Sequence, residues 1–470
     1  MKQYDAIIIG FGKGGKLLAA ELANRNWKVA IIERSPQMYG GTCVNVGCIP
    51  TKALIYESEQ AERLYRDDYG NQAKYYALAI RRKNKLVSFL RDKNHERIKE
   101  HPNITLYDGT ASFVSDDTVK VVSHNKKEIL LKGKEVFINT GATPILPAVK
   151  GIDASKHVFT SETLLQQSKL PGHLLILGAG AIGMEFATMY AGFGSKVTLL
   201  ETGSRFMPKA DRDIAESMLE SLKRKGIEIR LNAYALSVYD TADGITLTYT
   251  DNSDNTPYFW EGDALLLATG RRPMTDGLNL HAAGIRTDTR GALIVNEHLQ
   301  TTAPHIWAMG DVRGGALYDY LSLDDFRIIT NRLFGNKKRK TDDRIPVSIC
   351  AFFRTDPPVA HIGMTEEEAV KRGYSLQVSR LPAAAIPRAR TLQQIDGMMK
   401  AIVNAHTGRI IGCTLFCIDA PEVINLVSLA MKNDLHYSIL RDFIFTHPSM
   451  SEGLNDLFKA FSIWVWQLSD

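Results

Sequence analysis

Short apolar runs that lead into glycine-rich turns mark the beginning of the chain. The first run spans Tyr4 to Ile9 and precedes the segment GFGKGG at residues 10–15, after which a helical pattern runs from Lys16 to Asn24. A second apolar run, Lys28 to Ile32, ends in Glu33. Short, mostly apolar runs of this length are typical of strands buried on both faces of a parallel sheet. The pattern therefore predicts a strand, a tight turn, a helix and a second strand.

The same pattern occurs again in the middle of the chain. An apolar run from Leu174 to Leu177 precedes GAGAIG at residues 178–183, a helix is predicted from Met184, and a strand from Lys196 to Leu200 ends in Glu201. The spacing from the first glycine to the acid is the same in both copies. A repeated strand, glycine turn, helix and strand predicts two Rossmann-like units of an α/β protein.

Each copy also carries the chemistry of a dinucleotide fingerprint. Glycines permit the tight turn and a close approach of the backbone to a pyrophosphate, the helix N-terminus faces that anion, and the acid binds ribose hydroxyls. Two copies predict two dinucleotides, FAD and a nicotinamide cofactor, although a glycine-rich turn without a ligand is the alternative for either alone. The predicted cofactor-binding residues are Gly10, Gly12, Gly15 and Glu33 in the first copy and Gly178, Gly180, Gly183 and Glu201 in the second.

The second acid bears on the choice of nicotinamide cofactor. A carboxylate at Glu201 would repel a 2'-phosphate, which favours NADH. Arg205 stands close by in the sequence and leaves NADPH possible.

Composition narrows the class of protein. With 470 residues, 44% hydrophobic and 23% charged, the chain is expected to form about three folded domains. The net charge of +5 is small and the basic runs, such as residues 337–340, are short and lack interleaved aromatics, so no nucleic-acid partner is expected. No apolar run reaches the length of a membrane span. We expect a soluble, unsecreted, cytoplasmic protein with no membrane partner.

Two of the five cysteines lie close together. Cys43 and Cys48 belong to the segment GGTCVNVGCIPTK at residues 40–52. On a helix they would be a little over one turn apart, near enough for a disulfide if the turn is distorted, and Gly47 would help that distortion. A helix N-terminus and a cation such as Lys52 would stabilise a thiolate, the reactive form. The pair therefore predicts a redox-active centre, with buried structural thiols as the alternative.

The remaining cysteines favour packing. Cys413 and Cys417 lie in an apolar, strand-like stretch with no histidine nearby, and Cys350 stands alone. A zinc site would need a second pair at ligand spacing, so no metal site is expected. These three cysteines are interpreted as core residues.

At this point the sequence resembles the pyridine nucleotide-disulfide oxidoreductases, the family of dihydrolipoamide dehydrogenase, glutathione reductase and mercuric reductase. The resemblance rests on the cysteine segment, Thr140-Gly141-Ala142, the run from Ala268 to Pro273, the run from Trp307 to Asp311, and HPSMSE at residues 447–452. It implies two Rossmann-like domains and an α+β dimerisation domain: FAD-binding residues 1–145 and 265–345, NAD(P)H-binding residues 146–264, and dimerisation residues 346–470.

The resemblance also implies roles for individual residues. His447, oriented by Glu452, would serve as acid/base in the active site of the partner subunit of a homodimer. Lys52 and Glu185 would pair beside the flavin, and Asp311 would hold its ribityl chain. Further cofactor-binding residues implied in this way are Gly41, Thr42, Thr140, Gly141, Gly270 and Arg271.

Some segments resemble one branch of the family more than the others. GFGKGGK at residues 10–16, LSLDD at 321–325, IPRAR at 386–390 and the run from Phe445 to Glu452 are similar to the bacterial reactive-chlorine-resistance reductases, members of which reduce hypothiocyanous acid and copper(II). The resemblance implies a small-molecule oxidant as substrate and a role in oxidative-stress defence. The alternatives are a dihydrolipoamide dehydrogenase and a mercuric or metal-ion reductase, although this sequence lacks the C-terminal cysteine pair of mercuric reductases.

Two segments carry no functional prediction. Residues 57–94 are charged and helical in pattern, with tyrosines whose spacing favours packing over cofactor binding. The apolar end of the chain, with Trp464 and Trp466, could cover a subunit interface or be a disordered end.

Overall fold

A computed structural model describes residues 1–251, 256–344, 348–353 and 357–463, with only the backbone described for 348–353 and 462–463. Within these residues three sheet-based units follow one another along the chain.

The first unit contains a parallel sheet in which β1 lies between β2 and β5. Strand β3 extends the sheet beyond β2, and β4 pairs antiparallel with both β3 and β5. All five residues of β2 are buried, as expected for a strand covered on both faces. The elements in chain order are β1 (Lys2–Ile9), α1 (Lys13–Asn24), β2 (Val29–Glu33), α2 (Thr42–Asn45), α3 (Cys48–Tyr65), α4 (Tyr69–Lys99), β3 (Ile104–Phe113), β4 (Thr118–Ser123), β5 (Glu128–Ile138) and β6 (Ala142–Pro144).

The second unit has a five-stranded parallel sheet in the order β10-β9-β8-β14-β7 and a three-stranded antiparallel sheet, β11-β12-β13. Its elements are β7 (Val158–Thr160), α5 (Ser161–Leu164), β8 (His173–Leu177), α6 (Ala181–Gly192), β9 (Lys196–Leu200), α7 (Arg212–Arg224), β10 (Glu228–Arg230), β11 (Ala233–Asp240), β12 (Ile245–Asp251), β13 (Pro257–Gly262) and β14 (Ala264–Leu267).

The chain returns to the first unit through β15 (Arg271–Pro273), β16 (Ile306–Ala308) and α8 (Asp319–Phe334). Strand β15 pairs antiparallel with β6. The segment that leads from the first unit to the second therefore lies beside the segment that leads back. Because β14 pairs with β7 and β8, the second sheet extends to Leu267, and the return crossing lies a few residues later than the boundary predicted at 264/265.

Both predicted strand, turn, helix and strand patterns are present. The helices begin earlier than predicted, at Lys13 rather than Lys16 and at Ala181 rather than Met184. The reason is that the later glycines of each loop belong to the first helical turn, where the missing side chain lets the helix approach the strand before it.

The C-terminal unit is built on an antiparallel sheet in the order β17-β18-β21-β20-β19-β22. Cys413 and Cys417 are buried in its core, as predicted, whereas the side chain of Cys350 and residues Trp464 and Trp466 lie outside what the structure describes. Its elements are β17 (Ser348–Phe353), β18 (Val359–Gly363), α9 (Glu366–Lys371), β19 (Leu376–Pro382), α10 (Pro387–Thr391), β20 (Met398–Asn404), β21 (Ile410–Phe416), α11 (Ala420–Lys432), α12 (Ser438–Arg441), α13 (Gly453–Leu457) and β22 (Ser462–Ile463).

A buried ionic cluster joins the second unit to the C-terminal unit. Lys400, only 2% exposed, lies 3.1 Å from Asp211, 3.0 Å from Asp213 and 2.8 Å from Glu366. Removal of Lys400 would take the compensating charge from the buried Asp211 carboxylate, which is strongly destabilising. The cluster therefore fixes how these two units meet.

The long helices α3 and α4 cover the segment of residues 57–94 and pack on the second unit. Tyr76 is fully buried, and its hydroxyl lies 3.0 Å from that of Tyr190 and 2.9 Å from the Gln167 carbonyl oxygen. This contact agrees with the packing role that the aromatic spacing favoured.

Candidate active site

The first glycine loop is shaped by contacts that no larger residue could make. Gly10 has a φ of +103°, and a Cβ at this position would lie 2.4 Å from the Asn139 carbonyl oxygen. A Cβ on Gly15 would lie 2.7 Å from the Gly10 carbonyl oxygen. The Gly15 N–H donates to Asn139 Oδ1 at 2.9 Å. The loop is therefore held tightly between β1 and α1, as a dinucleotide fingerprint requires.

The second glycine loop repeats this packing. A Cβ on Gly178 would lie 2.6 Å from the Ala268 carbonyl oxygen, and one on Gly183 would lie 1.9 Å from the Gly178 carbonyl oxygen. Gly180 differs, because nothing lies within 4 Å of its Cβ position. Packing therefore does not require glycine there, whereas the close approach of a pyrophosphate does.

Both acids reach back to the loop that precedes them. Glu33 accepts from the Phe11 N–H at 3.0 Å, and Glu201 accepts from the Ala179 N–H at 2.8 Å. Burial raises the pKa of Glu33, against backbone hydrogen bonds that lower it. In both units a carboxylate thus lies beside the first glycine, the position from which it would bind a ribose. The residues present fit two dinucleotides.

One cavity brings together most of the predicted site residues. Both cysteines line it, with residues from the first unit and, from the second, Ala181, Ile182 and Glu185. The predicted residues in its wall are Gly10, Gly12, Glu33, Gly41, Thr42, Cys43, Cys48, Lys52, Thr140, Gly141, Glu185, Arg271 and Asp311. The predicted residues Gly15, Gly178, Gly180, Gly183, Glu201, Gly270, His447 and Glu452 lie outside this wall.

The two cysteines flank a break between helices. Helix α2 ends at Asn45 and α3 begins at Cys48, so the helical turn between the sulfurs is interrupted at Gly47. A Cβ on Gly47 would lie 3.0 Å from the Thr42 carbonyl oxygen. The distortion predicted for disulfide closure is therefore part of the backbone.

The cysteines differ in acidity. A hydrogen bond from Cys43 lowers the pKa of Cys48, and the Lys52 charge lowers it further, against burial. The pKa of Cys43 is raised by that same hydrogen bond and by burial. Of the two sulfurs, Cys48 is therefore the one whose surroundings favour the thiolate form.

A short ion pair supports the Cys48 side of the cavity. Lys52 Nζ lies 2.6 Å from Glu185 Oε1, and Glu185 is buried. The pair joins α3 of the first unit to α6 of the second. The two residues that the resemblance paired thus lie in contact.

Asp311 also lines the cavity. Burial raises its pKa to about 6, against the lowering charge of Arg271. The adjacent Gly310 N–H donates to Asp325 Oδ2 at 2.6 Å, and Arg313 Nε donates to the same oxygen at 2.9 Å. Asp325 is fully buried, so it fixes the backbone that carries Asp311.

Sequence reasoning gave no role to Asn139 or Asp325. Asn139 accepts from Gly15 and donates to the Met309 carbonyl oxygen at 2.8 Å, linking two site segments far apart in sequence. An asparagine at the end of the apolar β5 run was a usable signal, because a buried amide needs partners. Asp325 belongs to the LSLDD segment, which served only to indicate the family branch.

His447 lies away from the cavity of its own chain. Its Nδ1 is 2.7 Å from Glu452 Oε2, and its side chain is 69% exposed. Glu452 Oε1 also accepts from the Ser449 N–H at 3.2 Å. Phe443 and Ile444, close by in sequence, are exposed as well, Ile444 to 93%. The histidine and its carboxylate therefore form a pair on an apolar surface.

The described residues contain no group of three or more His, Cys, Asp or Glu side chains arranged to hold a metal ion. Burial raises the pKa of Cys413 and of Cys417, which disfavours their thiolate forms. In the part of the chain that the structure describes, every helix is too short or too polar to cross a membrane.

Two family models cover most of the chain. Residues 4–330 match the pyridine nucleotide-disulphide oxidoreductase model, and residues 349–458 match the dimerisation domain of the same family. The chain is a pyridine nucleotide-disulfide oxidoreductase. Its predicted class, an α/β fold with two nucleotide-binding domains and a C-terminal dimerisation domain, is confirmed, as is its assignment as a flavoprotein oxidoreductase.

Known relatives of this oxidoreductase cover nearly its whole length. It is 46% identical over 98% of its length to a probable pyridine nucleotide-disulfide oxidoreductase, RclA, of Escherichia coli K12, covering 99% of that protein. The solved Cu(II) complex of the HOCl-induced flavoprotein disulfide reductase RclA from E. coli aligns with a TM-score of 0.90 over 98% of this chain and 99% of that one, at 46% identity. A mercuric reductase of Lysinibacillus sphaericus is 34% identical over 99% of this chain and 84% of that protein. The family uses FAD with NAD(P)H.

Proposed function

We propose that this oxidoreductase uses NADH to reduce a small oxidant through the Cys43–Cys48 pair, with hypothiocyanous acid as its main substrate and copper(II) as a second one. It would act in the cytoplasm in defence against oxidative stress. The observation that carries the proposal is the position of Cys43 and Cys48 on either side of a helix break, in the wall of the cavity that the Lys52–Glu185 ion pair also lines.

The comparison with E. coli RclA supports the type of oxidant. The solved structure of that relative is described as an HOCl-induced disulfide reductase and as a Cu(II) complex. Both descriptions concern small oxidants, and this chain shares 46% identity with the relative over nearly its full length. The mercuric reductase is less similar, at 34%.

The chain's own residues account for binding of the cofactors. The two glycine loops, Glu33 and Glu201 would hold the two dinucleotides, and Asp311 would hold the ribityl chain. FAD, when bound, carries electrons from the nicotinamide to the disulfide. Lys52, paired with Glu185, places positive charge beside Cys48 and favours its thiolate.

Cys43 is the residue that attacks the oxidant in this proposal. Cys43 gives up its proton to the acid/base group as its sulfur attacks the sulfur of HOSCN; a Cys43 S–S bond forms, the S–O bond breaks, and the leaving hydroxide takes up a proton to become water. Cys48 then attacks Cys43, the Cys43–Cys48 disulfide forms, and thiocyanate leaves. The two thiols lose two electrons and HOSCN gains them. NADH supplies two electrons to restore the thiols.

The nicotinamide preference follows from Glu201. Its carboxylate accepts from the Ala179 N–H and from the Gly203 N–H, both at 2.8 Å, so backbone groups hold this negative charge beside the second glycine loop. The Glu201 carboxylate would repel the 2'-phosphate of NADPH, and this repulsion favours NADH. The ratio of kcat/KM for NADH to that for NADPH measures this preference, and a ratio below one would contradict it.

The proton donor for the thiols would come from the other subunit of a homodimer. His447 is exposed and does not line the cavity of its own chain. It belongs to residues 349–458, which match the family's dimerisation domain. The exposed Phe443 and Ile444 would be covered by the partner.

A panel of electron acceptors tests this function. Purified holoenzyme is assayed for NADH oxidation with hypothiocyanous acid, copper(II), lipoamide, glutathione disulfide and mercury(II), and for NAD-linked oxidation of dihydrolipoamide. We expect hypothiocyanous acid to have the highest kcat/KM, followed by copper(II). A higher value with dihydrolipoamide or mercury(II) would replace the proposal with that activity. Cys43→Ser should keep flavin reduction by NADH and lose turnover of the oxidant, so full turnover by this variant would contradict attack by Cys43.

A further inference from the structure

Two adjacent acids of α8 bind arginines from two other segments of the chain. Asp325 Oδ2 accepts from the Gly310 N–H at 2.6 Å and from Arg313 Nε at 2.9 Å. Its other oxygen, Oδ1, accepts from Arg344 Nη2. Arg344 Nε donates to Asp324 Oδ2 at 2.6 Å, so one guanidinium joins both acids. These contacts engage both oxygens of Asp325, whose side chain is fully buried.

The contacts of Asp325 fix the backbone on both sides of Asp311. Gly310 precedes Asp311 and Arg313 follows it, and both donate to the same carboxylate oxygen. Gly310 is buried, with a φ of +73°, and a Cβ there would lie 2.9 Å from Asn139 Nδ2. A buried N–H without an acceptor is costly, so this tight turn depends on Asp325. The direction in which Asp311 faces therefore depends on where Asp325 Oδ2 lies.

Arg344 lies in residues 336–344, which follow α8 and lead towards the C-terminal unit. The end of this segment also contacts that unit, because Lys432 Nζ, in the last turn of α11, donates to the Asp343 carbonyl oxygen. Through the peptide bond between Asp343 and Arg344, contacts therefore continue from α11 of the C-terminal unit to Asp325 of the first unit.

An arginine suits this bridge better than a lysine. Its planar guanidinium presents N–H groups at a fixed spacing and can bond Asp324 and Asp325 at once, whereas an ammonium is a point charge. The side chain of Arg344 is only 10% exposed, so water and salt screen these contacts little. Without Arg344, Asp325 Oδ1 loses this donor and the carboxylate can rotate about its Cβ–Cγ bond. Such a rotation would move Oδ2 away from the Gly310 N–H.

We propose that Arg344 is a positioning residue for the flavin, which holds Asp311 in place through Asp325 and makes FAD binding depend on the segment that leads to the C-terminal unit. The inference rests on the proposed contact of Asp311 with the ribityl chain. It gives the LSLDD segment at residues 321–325 a physical role, since its two acids bind Arg344. Because coupling between binding events is reciprocal, bound FAD should in turn stabilise residues 336–344.

A double-mutant cycle tests whether Arg344 acts through Asp311. The FAD dissociation constant is measured from the fluorescence of free FAD on serial dilution of FAD-saturated wild type, Arg344→Gln, Asp311→Ala and the double variant. Arg344→Gln should raise the constant about tenfold, an effect of the order of one hydrogen bond between charged groups. In the Asp311→Ala background the same substitution should change it by less than about twofold, because the contact that Arg344 holds in place is already lost.

Two further variants separate positioning from a general loss of stability. Arg344→Lys keeps the charge but not the planar fork, so its dissociation constant should lie between those of wild type and Arg344→Gln. Arg339→Gln is the matched control, because Arg339 also donates to Asp324 but has a side chain that is 44% exposed. It should change the constant by less than about twofold, as expected for a surface pair.

Hydrogen exchange provides a readout that does not depend on affinity. Backbone amides of residues 336–344 are compared in holoenzyme and after removal of FAD. In wild type and in Arg339→Gln, FAD should slow their exchange. In Arg344→Gln it should no longer do so, although it should still slow exchange in the glycine loop at residues 10–15.

An unchanged FAD dissociation constant in Arg344→Gln, with weaker binding in Asp311→Ala, would overturn this inference alone. Equal effects of Arg344→Gln in both backgrounds would also overturn it, because Arg344 would then not act through Asp311. FAD binding by Asp311→Ala as tight as in wild type would reject the ribityl contact and the inference with it. If Arg344→Gln does not fold, Arg344→Lys takes its place in the cycle. Since no oxidant is used, a wild-type enzyme that fails to reduce hypothiocyanous acid would reject the proposed substrate and leave this result standing.

Discussion

Lys52 Nζ lies 2.6 Å from Glu185 Oε1. This short ion pair joins helix α3, which begins at Cys48, to helix α6, which follows the second glycine loop. The two charges act on Cys48 in opposite directions. The Lys52 charge lowers the pKa of Cys48 and the Glu185 charge raises it, after the larger effects of the Cys43 hydrogen bond and of burial.

Substitutions of this pair should therefore shift the pKa of Cys48 with opposite signs. Lys52→Met should raise it and Glu185→Gln should lower it, each measured as the pH midpoint of the thiolate absorbance in the reduced protein. Lys52→Met also removes the cation 2.6 Å from the buried Glu185 carboxylate, which should lower the unfolding free energy by about 3 kcal/mol.

A surface pair provides the control for this prediction. Lys134→Met removes a partner of Asp5 at the same kind of distance, 2.7 Å, but with the lysine 79% exposed. It should leave the Cys48 midpoint unchanged and cost less than about 1 kcal/mol. If both lysine variants shifted the midpoint equally, the effect would come from net charge and not from the Lys52–Glu185 contact.

The assignment of the thiolate predicts a difference between two serine variants. Cys48→Ser should abolish the long-wavelength absorbance that a thiolate shows when it contacts oxidised flavin, whereas Cys43→Ser should retain it, because Cys48 is the more acidic thiol. Absorbance spectra after stepwise anaerobic reduction measure this. The opposite pattern would mean that the roles of the two sulfurs are reversed.

The exposed His447 predicts complementation between subunits. Cys43→Ser and His447→Ala should each be inactive as homodimers. If His447 acts across the interface, unfolding and refolding a mixture should restore about a quarter of wild-type turnover, because half of the dimers carry one complete site. Complete inactivity of the mixture at every ratio would place the proton donor within one chain.

Asp311 predicts a stability change with a defined pH dependence. Its pKa is raised to about 6 in the folded protein, mainly by burial, above the value of 3.8 for an unperturbed carboxyl. The folded state thus retains a proton that the unfolded state has lost, so this group's contribution to stability falls as pH rises from about 4 to about 6. Asp311→Asn should stabilise the apoprotein by up to about 3 kcal/mol at pH 7 and have little effect near pH 4.

The same variant should bind FAD less tightly, since it loses the proposed ribityl contact. Urea unfolding of apoprotein at both pH values, with flavin titration, measures both effects. Asp276→Asn is the control, because Asp276 is exposed and its pKa is lowered by Arg272, so its effect should have the opposite sign. Equal stabilisation by Asp311→Asn at both pH values would point to packing instead of charge.

Local backbone chemistry made much of the site predictable. A glycine loop between a buried strand and a helix specifies its geometry within a few residues, and this is why Gly10 and Gly178 with their acids were identified. The break at Gly47 was predictable for the same reason. Lys52 and Glu185 are far apart in sequence, and only the family resemblance paired them.

Contacts between distant segments were not predictable. Asn139 connects Gly15 to Met309, and Lys13 meets Asp319 from a different helix; neither pairing leaves a periodic pattern in the sequence. The helix starts were misplaced because glycines in a first helical turn resemble those of a loop. The site of action of His447 depends on a second subunit, which no pattern within one chain specifies.

The pairing of β6 with β15 has a consequence for how such enzymes can diversify. Because Pro144 faces Arg271 across β6 and β15, the two segments that connect the second unit to the first lie next to each other. Recombination could exchange the second unit between relatives without changing the sheet of the first, provided that the incoming copy matched Lys52 with a carboxylate and Lys400 with its acidic partners.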